Sequence, residues 1–415
     1  MLFTPYIHEQ EIITRINTIR GEGYVLIRMT STMIEKNNID ANAIFRDLLK
    51  EKRIADYDRL ENGSENGVVH NAVFIGKDRV EDVKLKFYRV RNDRGDRRFS
   101  IETVRKKMRN GQINVGDLLY ISTYTDANNE ARIFIVDLTS NVPDYDQIAS
   151  IIGYDEIFTL LEEIKPKLKE IINMGWVDNS KGTGDMDPKD IGDTLESLLA
   201  IKTNNSPGAD LDGLIEVKSK GESKTKDTLF TLRPSFDGTE IEDIETSDRN
   251  RVSAFTRYYG YISDKHPESR SLYITIGTKN APQNNRGFYL EVDDEESRIK
   301  LMHISERDNK HQMTAYWTFE QLKTQLELKH PSTLWVKASD KKVGDMVKFK
   351  YNEIEFSRSP QFMTFISLVK DGSITYDWRG YTSISGPYEG KNHGNAWRIN
   401  PKARKILFGS ITRLY

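Results

Sequence analysis

Between residues 208 and 220 the chain reads Gly-Ala-Asp-Leu-Asp-Gly-Leu-Ile-Glu-Val-Lys-Ser-Lys. These residue types at this spacing suit the hydrolysis of a phosphodiester. If residues 215–219 form a strand, successive side chains alternate faces, so Glu216 and Lys218 share one. Asp210 or Asp212, on the turn leading in, can converge on the same spot. Two carboxylates, Asp210 and Glu216, suffice to place Mg2+, a hard cation that prefers oxygen ligands and keeps several waters. Such an ion stabilises a pentacovalent phosphate and lowers the pKa of an attacking water. The Lys218 ammonium adds fixed positive charge where the transition state gains negative charge. A charged edge strand is the plain alternative, because Glu-x-Lys arises by chance in a chain with 30% charged residues.

The elements that must hold these groups are legible around them. Apolar residues at Leu195, Leu198 and Leu199 mark a helix over 191–200, with Glu196 beside its buried face. Glu196 is thus a candidate third carboxylate, although alone it reads as a solvated helix residue. Upstream, Ile148, Ile151, Ile152, Ile157, Leu160, Leu161, Ile164 and Leu168 recur at helical spacing, and a loop is expected over 178–184. Strands are expected over 214–219, 228–232, 271–277, 287–292, 332–338 and 346–351, which makes an α/β or α+β domain with a mixed sheet. The first part is strand-rich, over 24–29, 68–75, 83–90, 117–122 and 131–136, with helices over 41–52 and 101–109. Short strands with one or two helices suggest a small barrel or sandwich. The polar run 139–144, with Pro143, marks a junction, dividing the chain into 1–140 and 141–415.

At 415 residues, two to three domains are the natural expectation. Apolar content of 37%, with 10% aromatics, supplies packed cores, while the net charge of −2 leaves room for local basic patches. The absence of cysteine excludes disulfides, thiolate metal sites and a thiol nucleophile. No run is long enough to span a bilayer and no secretory leader is apparent, so a cytosolic protein without membrane attachment is expected.

Two further segments carry groups that suit DNA. Asn392, His393, Asn395 and Arg398 offer donors matching base edges and phosphates, and Gly390 and Gly394 let the backbone approach a partner. A polar turn before a final strand is the alternative, and a general-base role for His393 has no support in the sequence. In the first domain, residues 89–98 hold five arginines, with Arg91, Asn92, Arg94, Asp96, Arg97 and Arg98 among the candidate DNA contacts. Arginine forks match phosphates and guanine edges, and Arg105, Lys106, Lys107 and Arg109 follow on a helix. A solvated charge run is the competing reading.

Residues 192–201, then Asn204-Asn205, then 209–219, resemble the active-site region of the MvaI and BcnI restriction endonucleases, relatives of the MutH nickase in the PD-(D/E)XK superfamily. Residues 334–338, 351–354 and 392–399 are similar to that family as well. The resemblance covers about residues 150–415 and implies metal-dependent DNA hydrolysis by Asp210, Glu216 and Lys218. The acidic position stays open between Asp210 and Asp212. The first domain resembles, less closely, the EcoRII effector-binding and BfiI DNA-binding pseudobarrels, which grip the major groove with two arms. The second arm would be residues 91–98, and the first would lie around Ser31, Thr32 and Lys36. Together these resemblances imply a monomeric type II enzyme that reads CCWGG-like double-stranded DNA and binds one copy of its site per domain. They also imply a cognate methyltransferase. A MutH-like strand-nicking nuclease and a non-catalytic DNA-binding regulator are the rival readings.

Overall fold

The computed structural model describes residues 5–126, 128–201, 208–222, 225–305 and 308–415. The fold is α+β. Its N-terminal part is built on a seven-stranded sheet in the order Tyr24–Arg28, Leu118–Thr125, Ala131–Asp137, Val68–Ile75, Val80–Arg89, Arg97–Ile101 and Ile39–Asp40. One neighbouring pair, Val68–Ile75 with Ala131–Asp137, is parallel, and the others are antiparallel. Among the described residues no pairing joins the two edges of this sheet.

Both faces of the sheet are covered, which explains why Leu118–Thr125 and Ala131–Asp137 are nearly continuous apolar runs. Leu119, Ile121, Ile133 and Ile135 pack with Phe45, Leu48 and Leu49 of the Ala43–Glu51 helix. Their alternates, Tyr120, Phe134 and Val136, pack instead with Ile13, Ile16, Ile19, Ile148 and Ile152. The helices on that second face are Ile7–Ile19, which the sequence pattern did not reveal, and Tyr145–Ile152. The packing therefore runs past the expected junction at 139–144. Ile148 and Ile152, which continue the helical series of the second domain in sequence, belong to the core of the first.

The following helix, Glu156–Asn173, covers a second sheet with Asp190–Leu198, burying Leu161, Leu168, Ile171, Ile191 and Leu195 against Leu334, Val336, Phe349 and Phe356. That sheet runs Thr412–Arg413, Met346–Arg358, Ser332–Val343, Glu216–Lys220, and Trp176–Thr183 also pairs along Met346–Arg358. The expected loop over 178–184 is thus an edge strand, because Met346–Arg358 supplies its hydrogen bonds despite its polar sequence. The sheet is mixed, since Glu216–Lys220 lies parallel to Ser332–Val343 while the other pairs are antiparallel. A further six-stranded sheet contains Asp227–Thr231, Ala396–Ile399, Ile374–Ser383 and His266–Ile276, and its core holds Trp317, Trp378 and Trp397. No helix among the described residues is long and apolar enough to cross a membrane.

Polar contacts centred on a buried arginine close the seam between the two parts. Arg358, 2% exposed, donates from Nε to the carbonyl of Asn17 at 2.8 Å and from Nη2 to that of Thr18 at 3.0 Å. Its Nη2 also meets Asp155 at 2.7 Å. Asn17 in turn accepts from the Tyr120 hydroxyl at 2.8 Å and donates to Ser410 at 3.1 Å. Removing one member of a buried ion pair leaves the other charge uncompensated, at a cost of about 3–5 kcal/mol. Arg358→Met is therefore expected to destabilise the protein by roughly that amount, measured as a lowered denaturation midpoint. A midpoint like the parent's would show that the seam does not depend on this arginine.

Candidate active site

Glu216 opens the strand Glu216–Lys220, opposite Thr333 in the parallel register, and Lys218 lies opposite Trp335. Alternation puts their side chains on one face, where Lys218 Nζ sits 2.5 Å from Glu216 Oε1. The Glu216 side chain is 1% exposed. Asp210 reaches the same place from the preceding turn, and its Oδ2 accepts the Val217 amide at 2.8 Å. This backbone bond ties the acidic loop to the strand. Asp212 is exposed, in the left-handed region at φ 51°, and makes no ion pair with a described residue. The geometry thus gathers Asp210, rather than Asp212, beside Glu216.

One residue of this cluster escaped the sequence reading. Lys329 ends the helix Phe319–Lys329 and places Nζ 2.9 Å from Glu216 Oε2 and 3.7 Å from Asp210 Oδ1. It also donates to the Gly208 carbonyl at 3.1 Å. Glu216 Oε2 is buried without a hydrogen bond, so the ammonium meets it as an ion pair only. A lysine in the last turn of a helix is ordinarily explained by the helix dipole, and nothing local distinguished this one.

Burial pushes the Glu216 carboxyl above its ordinary range, with Asp210 adding to the effect and Lys218 and Lys329 opposing it. Glu196, half-buried on the helix Asp190–Leu198, is pushed up by burial and then by Asp210 and Asp193, again against Lys218 and Lys329. Glu196 therefore feels the same charges. Among the described residues, however, no three carboxylate or imidazole side chains gather closely enough to hold an ion. The pair Asp210 and Glu216 suits a hard cation nevertheless: a positive charge already lies between them, and one buried carboxylate oxygen lacks a hydrogen bond. Asn204 and Asn205 lie outside the described residues.

Behind Lys329, His330 is fully buried. The Leu229 carbonyl can only accept, so His330 Nε2 donates to it at 2.8 Å and Nδ1 takes the Thr333 hydroxyl at 2.8 Å. Burial, followed by the nearby Lys218, brings its pKa down to about 3, so it stays neutral as a brace at the head of the strand.

The segment around His393 lies on the six-stranded sheet. Asn392 is exposed at the end of Gly390–Asn392, and its Oδ1 accepts the Gly394 amide at 3.0 Å. His393 is exposed, with its ring centroid 6.0 Å from that of Tyr273. Asn395, expected to face DNA, is buried instead, and its Oδ1 accepts the Arg379 amide at 2.9 Å. Arg398 Nε lies 2.8 Å from Asp377 Oδ2, and Arg379 Nη2 is 2.6 Å from the same oxygen. Asp377 also accepts from the Thr275 hydroxyl at 2.8 Å. Asp377 and Arg379 were missed, although Asp-x-Arg on a strand is the same alternation that exposed Glu216 and Lys218.

In the N-terminal part, Arg91 is exposed and paired with Glu65, and Arg94 is exposed. Asn92 and Asp96 bind each other, with Asn92 Nδ2 donating to Asp96 Oδ2 at 2.9 Å and Asp96 N to Asn92 Oδ1 at 3.1 Å. Arg97 and Arg98 already belong to the strand Arg97–Ile101, half-buried, and Arg98 pairs with Asp40 at 2.7 Å. The expected first arm is a short helix, Ser31–Lys36, capped by the Thr30 hydroxyl, with Lys36 exposed at its end. Lys36 shares a shallow cleft with Lys86, Tyr88 and Arg105.

The model of the MvaI/BcnI restriction endonuclease family matches residues 165–408. The chain belongs to that family. It is accordingly a sequence-specific nuclease that cleaves DNA. Among solved structures it is similar to restriction endonuclease MvaI in complex with its cognate DNA, with a TM-score of 0.52 and 22% identity over 63% of this chain and all of that one. It also matches MvaI in the absence of DNA, with a TM-score of 0.38 and 20% identity over 63% of this chain and 99% of that one. No curated protein matches the chain. The family match begins at residue 165, beyond the seven-stranded sheet.

The raised Glu216 carboxyl has a signed consequence. A carboxyl with a higher folded than unfolded pKa contributes stability below its unfolded value of 4.5 and loses it as pH rises through the folded one. Glu216→Gln should therefore raise the melting temperature at pH 8 more than at pH 4. An equal shift at both pH values would show that burial does not strain this charge.

Proposed function

We propose that this endonuclease hydrolyses both strands of a specific DNA site in a Mg2+-dependent reaction, as a type II enzyme. The observation that carries the reading is the convergence of Asp210, Glu216 and Lys218 on one face of a parallel strand edge. Asp210 and Glu216 would hold the metal, which when bound supplies an activated water and charge stabilisation at the phosphate. Lys218 holds positive charge at the position where a phosphate oxygen gains negative charge. Glu196, a residue with its own raised carboxyl that feels Asp210, would orient water or a further ion at the edge of the pair. His393, Asn392, Arg379 and Arg398 would face the DNA, with Asp377 fixing the two guanidiniums.

The N-terminal part, residues 1–140 with the Tyr145–Ile152 helix packed on them, in this reading forms a DNA-binding unit that takes a second copy of the site and activates the nuclease. Exposed Arg91, Arg94 and Lys36 are the groups available for it. The enzyme would act as a monomer alongside a methyltransferase that protects the same site.

Plasmid DNA incubated with the protein and Mg2+, with the ends mapped, tests the reaction directly. Fixed double-strand ends are expected, whereas nicks alone would favour a MutH-like activity. Glu216→Ala, Lys218→Ala and Asp210→Ala should each abolish cleavage while DNA binding stays largely intact, because these groups serve the transition state and the metal. Normal cleavage by any of the three would remove that residue from the machinery, and Asp212→Ala should cut as the parent does.

The second-site reading has its own test in the full-length protein. Arg91→Ala with Arg94→Ala leaves the ion pairs of Arg97 and Arg98 in place. A good bidentate base contact is worth about 1–3 kcal/mol, so the double variant should lose stimulation by a site-bearing oligonucleotide while retaining slow basal cleavage. Undiminished stimulation would make the arm a solvated charge run.

A further inference from the structure

The helix Phe319–Lys329 makes ionic contacts at two points along its length. At one end, Lys329 lies between the two carboxylates of the candidate site. A turn and a half earlier, Lys323 Nζ meets Asp47 Oδ2 at 3.0 Å and Glu51 Oε2 at 3.1 Å, both on the Ala43–Glu51 helix of the N-terminal part. Leu322 and Leu326 bury the intervening face. A helix clasped at one point and buried along its length carries its last residue as a rigid extension.

We propose that Lys329 is the internal counter-ion of the catalytic carboxylates, a positioning residue that a divalent metal must displace, and that the N-terminal clasp on Lys323 sets its placement. The proposal rests on the reading of Asp210 and Glu216 as the metal-holding pair. Its physical basis is the location of the ammonium, 2.9 Å from a Glu216 oxygen that has no hydrogen bond and within 3.7 Å of Asp210. Two carboxylates this close repel each other unless a cation lies between them. Lys329 supplies that cation, and a metal offering more charge to the same oxygens competes with it. Lys218 has a different place, on the other oxygen of Glu216, and would remain when a metal binds.

The clasp carries a matching strain. Glu327, between Lys323 and Lys329 on the same helix, has its carboxyl pushed up to about 7 by burial, with Glu51 and Asp47 adding and Lys323 opposing. Four acidic or basic groups from two helices thus hold one another in a narrow space, and moving either helix redistributes them. A change at the N-terminal part therefore reaches Lys329 through one helix, without passing through the DNA-facing sheet.

Mn2+ binding to the full-length protein, without DNA, reads the competition independently of cleavage. Lys329→Met and Lys329→Gln should both bind Mn2+ at least about tenfold more tightly, since a unit charge at about 4 Å and an effective dielectric of about 20 outweighs the roughly 1.4 kcal/mol that makes a tenfold change. Lys329→Arg, which keeps the charge, should stay close to the parent. Asp47→Asn with Glu51→Gln should shift the Mn2+ midpoint in the same direction by a smaller factor. An unchanged midpoint in Lys329→Met, or no Mn2+ binding in either that variant or the parent, overturns the counter-ion role, and an unchanged midpoint in the Asp47/Glu51 variant overturns the clasp. Glu216→Gln separates the two levels of inference. If it binds Mn2+ as the parent does, the metal-holding pair itself is misassigned; if it loses binding while Lys329→Met is unaltered, the pair stands and the role of Lys329 falls.

Discussion

A carboxylate at 1% exposure is the constraint on which the rest of the site depends. Glu216 cannot remain charged there without cations, because transfer of an ion out of water costs several kcal/mol even after relaxation. Lys218 and Lys329 meet that need from different directions, one from two residues along the same strand and one from the end of a separate helix. The parallel register with Ser332–Val343 is what brings them together, since His330 directly follows Lys329 and is fixed to Thr333, the residue opposite Glu216. Asp210 completes the arrangement by accepting the Val217 amide with one side-chain oxygen while the other faces Lys329.

The same device recurs on the six-stranded sheet. Asp377, 3% exposed, is a buried acceptor beneath two guanidiniums, and Thr275 satisfies its other oxygen. The charge-assisted bond to Arg379 fixes the plane of that arginine as well as its position, while Arg398 Nε meets the same oxygen as an ion pair only. A guanidinium so held loses little freedom when it meets a base edge or phosphate, which favours selectivity over adaptability. The buried Asn395 serves the same end, because it anchors the Arg379 backbone and leaves the exposed Asn392 and His393 at the tip of the turn.

Local alternation made the heart of the site legible. Asp210, Glu216 and Lys218 lie within nine residues, and a strand of period two is all that was needed to place the last two on one face. Lys329 was not legible because its meaning depends on partners more than a hundred residues away, whereas Asp377 and Arg379 were overlooked in a local alternation. Asn395 was read by its chemistry, as a donor for bases, when its burial had already committed it to the backbone. The strands Val68–Ile75 and Ala131–Asp137 were clear from their apolar runs, yet the runs gave no hint that their two faces serve different cores. The edge strand Trp176–Thr183 was hidden for the opposite reason: its residues are polar, and only the neighbouring strand gives them a sheet to join.

At the expected junction at 139–144 the packing of the first core does not stop where the composition signal falls. Proline and polar residues mark the end of a strand, and that much holds, but the end of a strand need not be the end of a core. Tyr145–Ile152 turns back onto the first sheet because Ile148 and Ile152 find apolar partners there in Ile13, Ile16 and Ile19, which arrive from a helix at the other end of that part of the chain. The connection to the nuclease fold then runs through Asp155, which caps the next helix through the Phe158 amide and also receives Arg358. One side chain thereby starts the first helix of the second core and closes the seam with the first. The two parts of the molecule are consequently joined by buried, directional bonds, which resist sliding in a way that apolar packing by itself does not.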